Sequence, residues 1–186
     1  MQPALNKHSF FLLLFALAAL SMPQGSIGAE GDTDTASRKA AVGRVLDSFH
    51  AAAAAADGER YLGHFAPGGV FMGTDDWERW PLPAFTDYVK ERFAGGTGWV
   101  YKAVERNVRL SSDGKLAWFD EITESQRWGR FRGTGVLLRE GDEWKIAHYA
   151  MSFLVPNERW EAISALAVEG FTERNGNSEA TVEDKE

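Results

Sequence analysis

Four residues of this chain have types that could do chemistry together: His148, Glu121, Asp75 and Arg79. A histidine titrates near neutral pH and can pass a proton in either direction. A carboxylate beside it, Glu121 or Asp75, can orient the ring or exchange a proton with a ligand, and an arginine can hold charge that develops. This set describes acid/base work without a cofactor. Substrate-binding candidates stand around it: Arg79, Trp80, Trp99, Tyr101 and Ser152. Metal chemistry finds no footing in the sequence. His50 and His64 have no partner at ligand spacing, and with no cysteine there is neither a thiolate site nor a disulfide. Nor is there a glycine-rich phosphate loop, since GTGVLL reads as the inside of a strand.

The elements that must position these residues follow from hydrophobic spacing. Val42, Val45, Leu46 and Phe49 lie at helical spacing, the alanine run 51–56 continues that helix, and Asp57-Gly58 stops it. His50 falls one residue past this apolar stripe. Residues 59–65 make a short second helix, Pro67-Gly68-Gly69 breaks the chain, and 70–72 reads as a strand. Pro81 and Pro83 flank the start of a third helix with Phe85, Val89 and Phe93 on its inner stripe. The pattern then switches to period two. Residues 99–110, 116–123, 130–139 and 144–154 read as an antiparallel meander with turns at Ser112-Asp113-Gly114 and near Gly141. A last helix covers 159–171. The expected class is α+β: a curved, mainly antiparallel sheet, three helices in the N-terminal half forming a cone with a pocket, and a C-terminal helix.

Strand parity assigns faces. A two-residue turn near Gly141 groups Gly133, Gly135 and Leu137 with Trp144, Ile146, His148, Ala150 and Ser152. The small residues leave room for a ligand, so this face is taken as the pocket, with His148 as its base or as a hydrogen-bonded core histidine. On the preceding strand Asp120 and Glu121 point opposite ways. Small neighbours favour Glu121 inward, as a pocket carboxylate or in a cross-strand salt bridge with Arg130 or Arg132. Trp99 and Tyr101 share a parity, as cavity wall or adjoining core. Arg106 and Arg109 read as sheet-edge or dimer-face charges. The stretch FMGTDDWERW (71–80) sets Trp77 and Trp80 among four charges between a strand and a helix. It reads either as a polar-aromatic lid with Asp75 or Arg79 reaching the mouth, or as a structural loop with Asp75 capping a turn and Trp80 filling core.

Composition bounds the rest. The 186 residues carry a formal charge of −7, which becomes −8 once a leader containing Lys7 is removed. An acidic chain without a basic cluster argues against nucleic acid. Lys7 and His8 ahead of the apolar run 10–20, with small residues up to Ala29, make residues 1–29 a secretory signal, too short in its apolar part for a stable span. Residues 30–37 read as a disordered linker, 38–171 as one domain, and 172–186 as a disordered acidic tail. A periplasmic or secreted location follows from the leader.

The runs FMGTDDWERWPLPAFTDYVKERF, GWVY (98–101), AWFDE (117–121), RGTGVLL (132–138) and WKIAHYAMSFLVPN (144–157) resemble SnoaL-like proteins of the nuclear transport factor 2-like superfamily. The resemblance covers residues 38 to 157. It implies a curved sheet, a conical pocket, and homodimers through the outer sheet face, but no single chemistry. The superfamily's isomerases use a tyrosine and two aspartates, a set this chain does not offer. Its dehydratases pair a histidine with an aspartate, which Asp75 and His148 could imitate. Three readings stand: an exported domain binding a small, partly apolar molecule; a cofactor-independent isomerase, dehydratase or hydrolase using His148 with Glu121 or Asp75; and a dimeric assembly module without ligand.

Overall fold

The structure is a computed structural model and describes residues 27–183. The leader assigned to 1–29 therefore lies almost wholly outside the described residues. The chain runs α1 (Ile27–Ala54), α2 (Gly58–Gly63), β1 (Phe65–Met72), β2 (Arg79–Pro81), α3 (Leu82–Phe93), β3 (Lys102–Leu110), β4 (Leu116–Ser125), β5 (Gly129–Glu140), β6 (Glu143–Phe153), a single 3-10 turn (Asn157–Arg159) and α4 (Trp160–Glu183). This is the α+β architecture that hydrophobic spacing implies. One curved six-stranded sheet has the order β2-β1-β6-β5-β4-β3. Every pairing is antiparallel except β1 with β6.

Helices α1 to α3 pack on the concave side, where α1 meets β3 and β6, and α3 meets β1 and β2. The core between the layers holds Val42, Leu46 and Phe49 of α1, Phe85 and Val89 of α3, and Leu137, Ile146 and Tyr149 of the sheet. Phe49 is its aromatic hub, stacked on Tyr61 with ring centroids 4.5 Å apart and tilted against Tyr149 at 5.2 Å. Such pairs add about 0.5–1.5 kcal/mol each beyond the area they bury.

Several boundaries differ from the sequence reading, among them the first meander strand, which begins at Lys102 and leaves Trp99 and Tyr101 ahead of it. Helix α1 reaches back to Ile27, through the 30–37 segment read as disordered linker, and Asp34 and Arg38 form an i, i+4 ion pair on it at 2.6 Å. Helix α4 continues to Glu183, through most of the 172–186 segment read as a disordered tail. Strand β1 begins at Phe65 and passes through Pro67-Gly68-Gly69 by a register shift against β6, so the breaker residues bend the strand without ending it. Arg79 and Trp80, read as the end of a lid or structural loop, and Pro81, read as flanking the third helix, pair with β1 as β2.

The consequential irregularity is on β6. Leu137 pairs with Ile146, but Val136 pairs with His148, so Ala147 is an extra residue. A one-residue insertion inverts every later side chain. Trp144 and Ile146 face inward as expected. Beyond the bulge, Tyr149 is buried while Ser152 is exposed. His148 therefore sits on the opposite face from Gly133 and Gly135. The space above Gly133 is filled by this chain itself: a Cβ there would collide with the Tyr149 hydroxyl and lie 3.0 Å from Glu121 Cγ. Gly133→Ala should destabilise the protein by about 1–3 kcal/mol, read as a lower denaturant midpoint at an unchanged slope, and should disturb the tyrosine more than the backbone.

Candidate functional site

The site begins with two parallel ridges on α1. Val42, Leu46, Phe49 and Ala53 make the apolar ridge. Beside it Gly43, Asp47 and His50, at i, i+4, i+7, make a second ridge that lies along β3. Arg106 of β3 answers this ridge, its Nη1 donating to the Gly43 carbonyl at 3.0 Å and to Asp47 at 2.7 Å. Opposite Arg106 in the strand register is Glu121 of β4, only 1 % exposed. Its carboxylate is gripped on both oxygens. Oε2 accepts Arg106 Nε–H at 2.7 Å. Oε1 lies 2.7 Å from His50 Nε2 and accepts the Tyr149 hydroxyl at 3.0 Å.

The electrostatics follow from this geometry. Burial by itself would push the Glu121 carboxyl up. The hydrogen bond and charge of His50, with the Arg106 guanidinium, outweigh burial and hold it below the usual range. Burial first, then the Glu121 charge and hydrogen bond, raise the Tyr149 hydroxyl well above 10, so it remains a donor. For Arg106 burial works against the charge, but Glu121 and Asp47 more than offset it. Glu121 is thus an ionised acceptor. It orients His50 with Nε2–H toward the carboxylate, so that Nδ1, which makes no hydrogen bond among the described residues, is the ring nitrogen left to exchange a proton.

His50 and Tyr149 form part of the wall of a cavity of about 140 Å³. The rest of the wall is aromatic and apolar: Phe49, Tyr61, Phe71, Tyr88, Trp99, Tyr101 and Met151, with Gly73, Thr74 and Glu78 contributed by the loop between β1 and β2. An engineered apolar cavity of about 150 Å³ holds a benzene molecule, so this volume suits one ring. Among the described residues no group of three or more histidine and carboxylate side chains gathers to hold a metal ion.

The residues expected from sequence divide. Glu121 faces inward, as its small neighbours favour, and Trp99 and Tyr101 line the cavity. His148 and Ser152 do not line it, because the Ala147 bulge turns them to the other face. Asp75 is drawn away to α4, where Arg174 donates to it at 2.9 Å and to Asp76 at 2.8 Å. Arg79 is exposed on β2. Trp80 packs behind the wall, stacked on Tyr88 at 4.8 Å, and its buried Nε1 has no hydrogen-bond partner among the described residues. His148, Asp75 and Arg79 therefore do not assemble around Glu121. The partners that do are His50, Arg106 and Tyr149. The 43/47/50 ridge was the available signal for His50. Arg106 gave none, because a charge on a strand looks the same whether it faces solvent or a buried carboxylate.

Residues 42–156 match the SnoaL-like domain family. The chain belongs to that family. Solved structures similar to this SnoaL-like chain include an NTF2-like protein of unknown function from Pseudomonas putida KT2440, 17% identical, covering 66% of this chain and 91% of that one with a TM-score of 0.56. A provisionally named scytalone dehydratase from Novosphingobium aromaticivorans DSM 12444 is 11% identical over 66% of this chain and 89% of that one, with a TM-score of 0.55. A provisionally named ketosteroid isomerase from Parabacteroides distasonis ATCC 8503 is 14% identical over 62% and 86%, with a TM-score of 0.50. These likenesses show a shared NTF2-like fold. No curated protein matches the chain significantly.

Glu121 yields a stability prediction with a definite sign. Its folded-state pKa lies below its unfolded value, so its stabilisation is complete above the ordinary Glu value of about 4.3 and is lost as pH falls through the lower folded value. Glu121→Ala leaves the largely buried Arg106 with only the exposed Asp47 as counter-charge and should cost about 3 kcal/mol. Urea midpoints followed from neutral pH downward should show the wild type losing this contribution in acid, and Glu121→Gln lacking it throughout.

Proposed function

We propose that this SnoaL-like chain binds a small, largely apolar molecule of about one ring in its conical cavity and that His50 acts on it as a general base. The observation that carries the reading is the buried, ionised Glu121 holding the Nε2–H of His50, a ring that forms part of the cavity wall. A carboxylate-oriented imidazole with a bare Nδ1 is poised to remove a proton from a ligand carbon or hydroxyl. The aromatic wall excludes water and leaves that nitrogen with few competitors. Tyr149 acts here as a positioning residue through its bond to Glu121, and Arg106 keeps Glu121 charged. The provisional dehydratase and isomerase names among the structural neighbours agree with proton transfer in this fold.

Two further parts of the proposal concern assembly and location. Val104, Leu116 and Trp118 are each about half exposed, at 44%, 40% and 45%. Leu116 and Trp118 alternate with the inward Ala117 and Phe119, which puts them on the outer sheet face and favours a homodimer formed there. The Lys7-led apolar run 10–20 favours export to the periplasm or beyond.

The decisive experiment separates binding from chemistry. A panel of cyclic ketones and phenols of one ring is titrated by Trp fluorescence, and binders carrying an acidic C–H are incubated with the protein in D2O and followed by NMR. The wild type should bind and catalyse exchange. His50→Gln should retain binding within a few-fold while exchange falls by about 10²–10⁴. Exchange that survives His50→Gln overturns the base assignment.

A further inference from the structure

The cavity has one charged side chain in its wall besides the titratable His50, and it is negative. That residue is Glu78, in the loop between β1 and β2. Its placement is built. Glu78 Oε2 accepts the backbone N–H of Thr74 at 2.9 Å and of Asp75 at 3.1 Å. Gly73 makes room for it, since a Cβ there would overlap the same oxygen. Among the described residues no ion pair and no hydrogen bond reaches Oε1. The nearby loop acids are treated differently: Arg174 takes Asp75 and Asp76 together and leaves Glu78 unneutralised.

Around this carboxylate the wall is made of π faces. Tyr88 and Trp99 stack with centroids 6.0 Å apart, and Tyr61 lies 5.9 Å from Trp99. Burial first, then the charge of Glu78, raise the Tyr88 hydroxyl, which places that carboxylate's field on this ring. Cations sit well over such rings, and Trp99 already carries one, the exposed Arg92 guanidinium at 5.7 Å from its centroid. No lysine or arginine lines the cavity, so a carboxylate or phosphate would find no counter-charge there.

We infer that the cavity selects a one-ring molecule bearing an amine or ammonium group, with the cation held between Glu78 and the Tyr88–Trp99 faces. This rests on the cavity being a binding site, not on His50 acting as a base. In such a complex the ring lies against Phe49 and Phe71, and the charged end displaces water from Oε1 of Glu78. An anionic ligand of the same shape meets Glu78 with like charge and is rejected.

The test uses the full chain and three one-ring ligands, benzylammonium, benzyl alcohol and phenylacetate, titrated by calorimetry at neutral pH. Benzylammonium should bind about tenfold more tightly than benzyl alcohol, and phenylacetate more weakly than either. Raising the salt from about 0.05 to about 0.5 M should weaken only the cation's binding. Glu78→Gln, which can still accept both backbone N–H groups, should remove the cation's advantage and leave benzyl alcohol unchanged. His50→Gln should leave the preference intact, so failure of the base assignment and failure of charge selection are read separately. Phenylacetate binding as tightly as the cation, Glu78→Gln weakening cation and alcohol alike, or no cation binding at about 10 mM, far above the affinity such a site supplies, would each overturn the inference.

Discussion

A single buried carboxylate organises this molecule. An ionised carboxylate removed from water costs several kcal/mol unless its lone pairs and its charge are both met. Glu121 meets that requirement with groups from three separate elements: His50 from α1, Arg106 from β3 and Tyr149 from β6. Each bond fixes one layer against another. Arg106 extends the network to the Gly43 carbonyl and Asp47, so the helix is clamped to the strand along a full ridge. Exchanging Glu121 for an apolar residue would leave Arg106 with only the exposed Asp47 as counter-charge. Fold and site are therefore coupled at this point, and a change that disturbs one disturbs the other.

The interior is closed in one part and open in another. Leu46, Phe85, Leu137 and Ile146 are fully buried. Tyr88, Trp99 and Tyr101 border the cavity, which leaves space for a ligand. The polar ends of His50 and Tyr149 are spent largely on Glu121, which is why a cavity with so many hydrogen-bonding side chains remains apolar in character. Glycine has two uses here. Gly133 admits the Tyr149 hydroxyl at the base, and Gly73 admits the Glu78 carboxylate in the loop.

Beyond residue 156 the chain leaves the SnoaL-like domain and forms α4, whose Trp160, Leu166 and Val168 stay exposed. Among the described residues its long-range polar link to the domain is Arg174, bonded to Asp75 and Asp76 in the loop whose neighbours Gly73, Thr74 and Glu78 line the cavity. Asp75, a residue whose type suggested acid/base work, is engaged in holding that helix. Its carboxyl is kept below the usual range chiefly by the Arg174 hydrogen bond.

By itself the sequence determined the α+β class, the order of the elements apart from β2, and the inward side of β5. These depend on hydrophobic periodicity, which is local and survives in a single chain. It favoured Glu121 over Asp120 as the inward carboxylate, from alternation with the small Ala117, and the burial of Glu121 in the folded sheet decided it. Only the tertiary structure decided which histidine faces the cavity. Strand parity carried across the β5–β6 turn favours His148, but the extra residue Ala147 reverses the count, and a bulge has no fixed signature in composition. His50 lies at the edge of an apolar stripe, where a polar residue ordinarily faces water. It faces Glu121 because β3 and β4 lie across that edge of α1. Arg106 was undecidable for the same reason: the partner that makes it a buried counter-ion is fifteen residues away in the chain and directly opposite in the sheet.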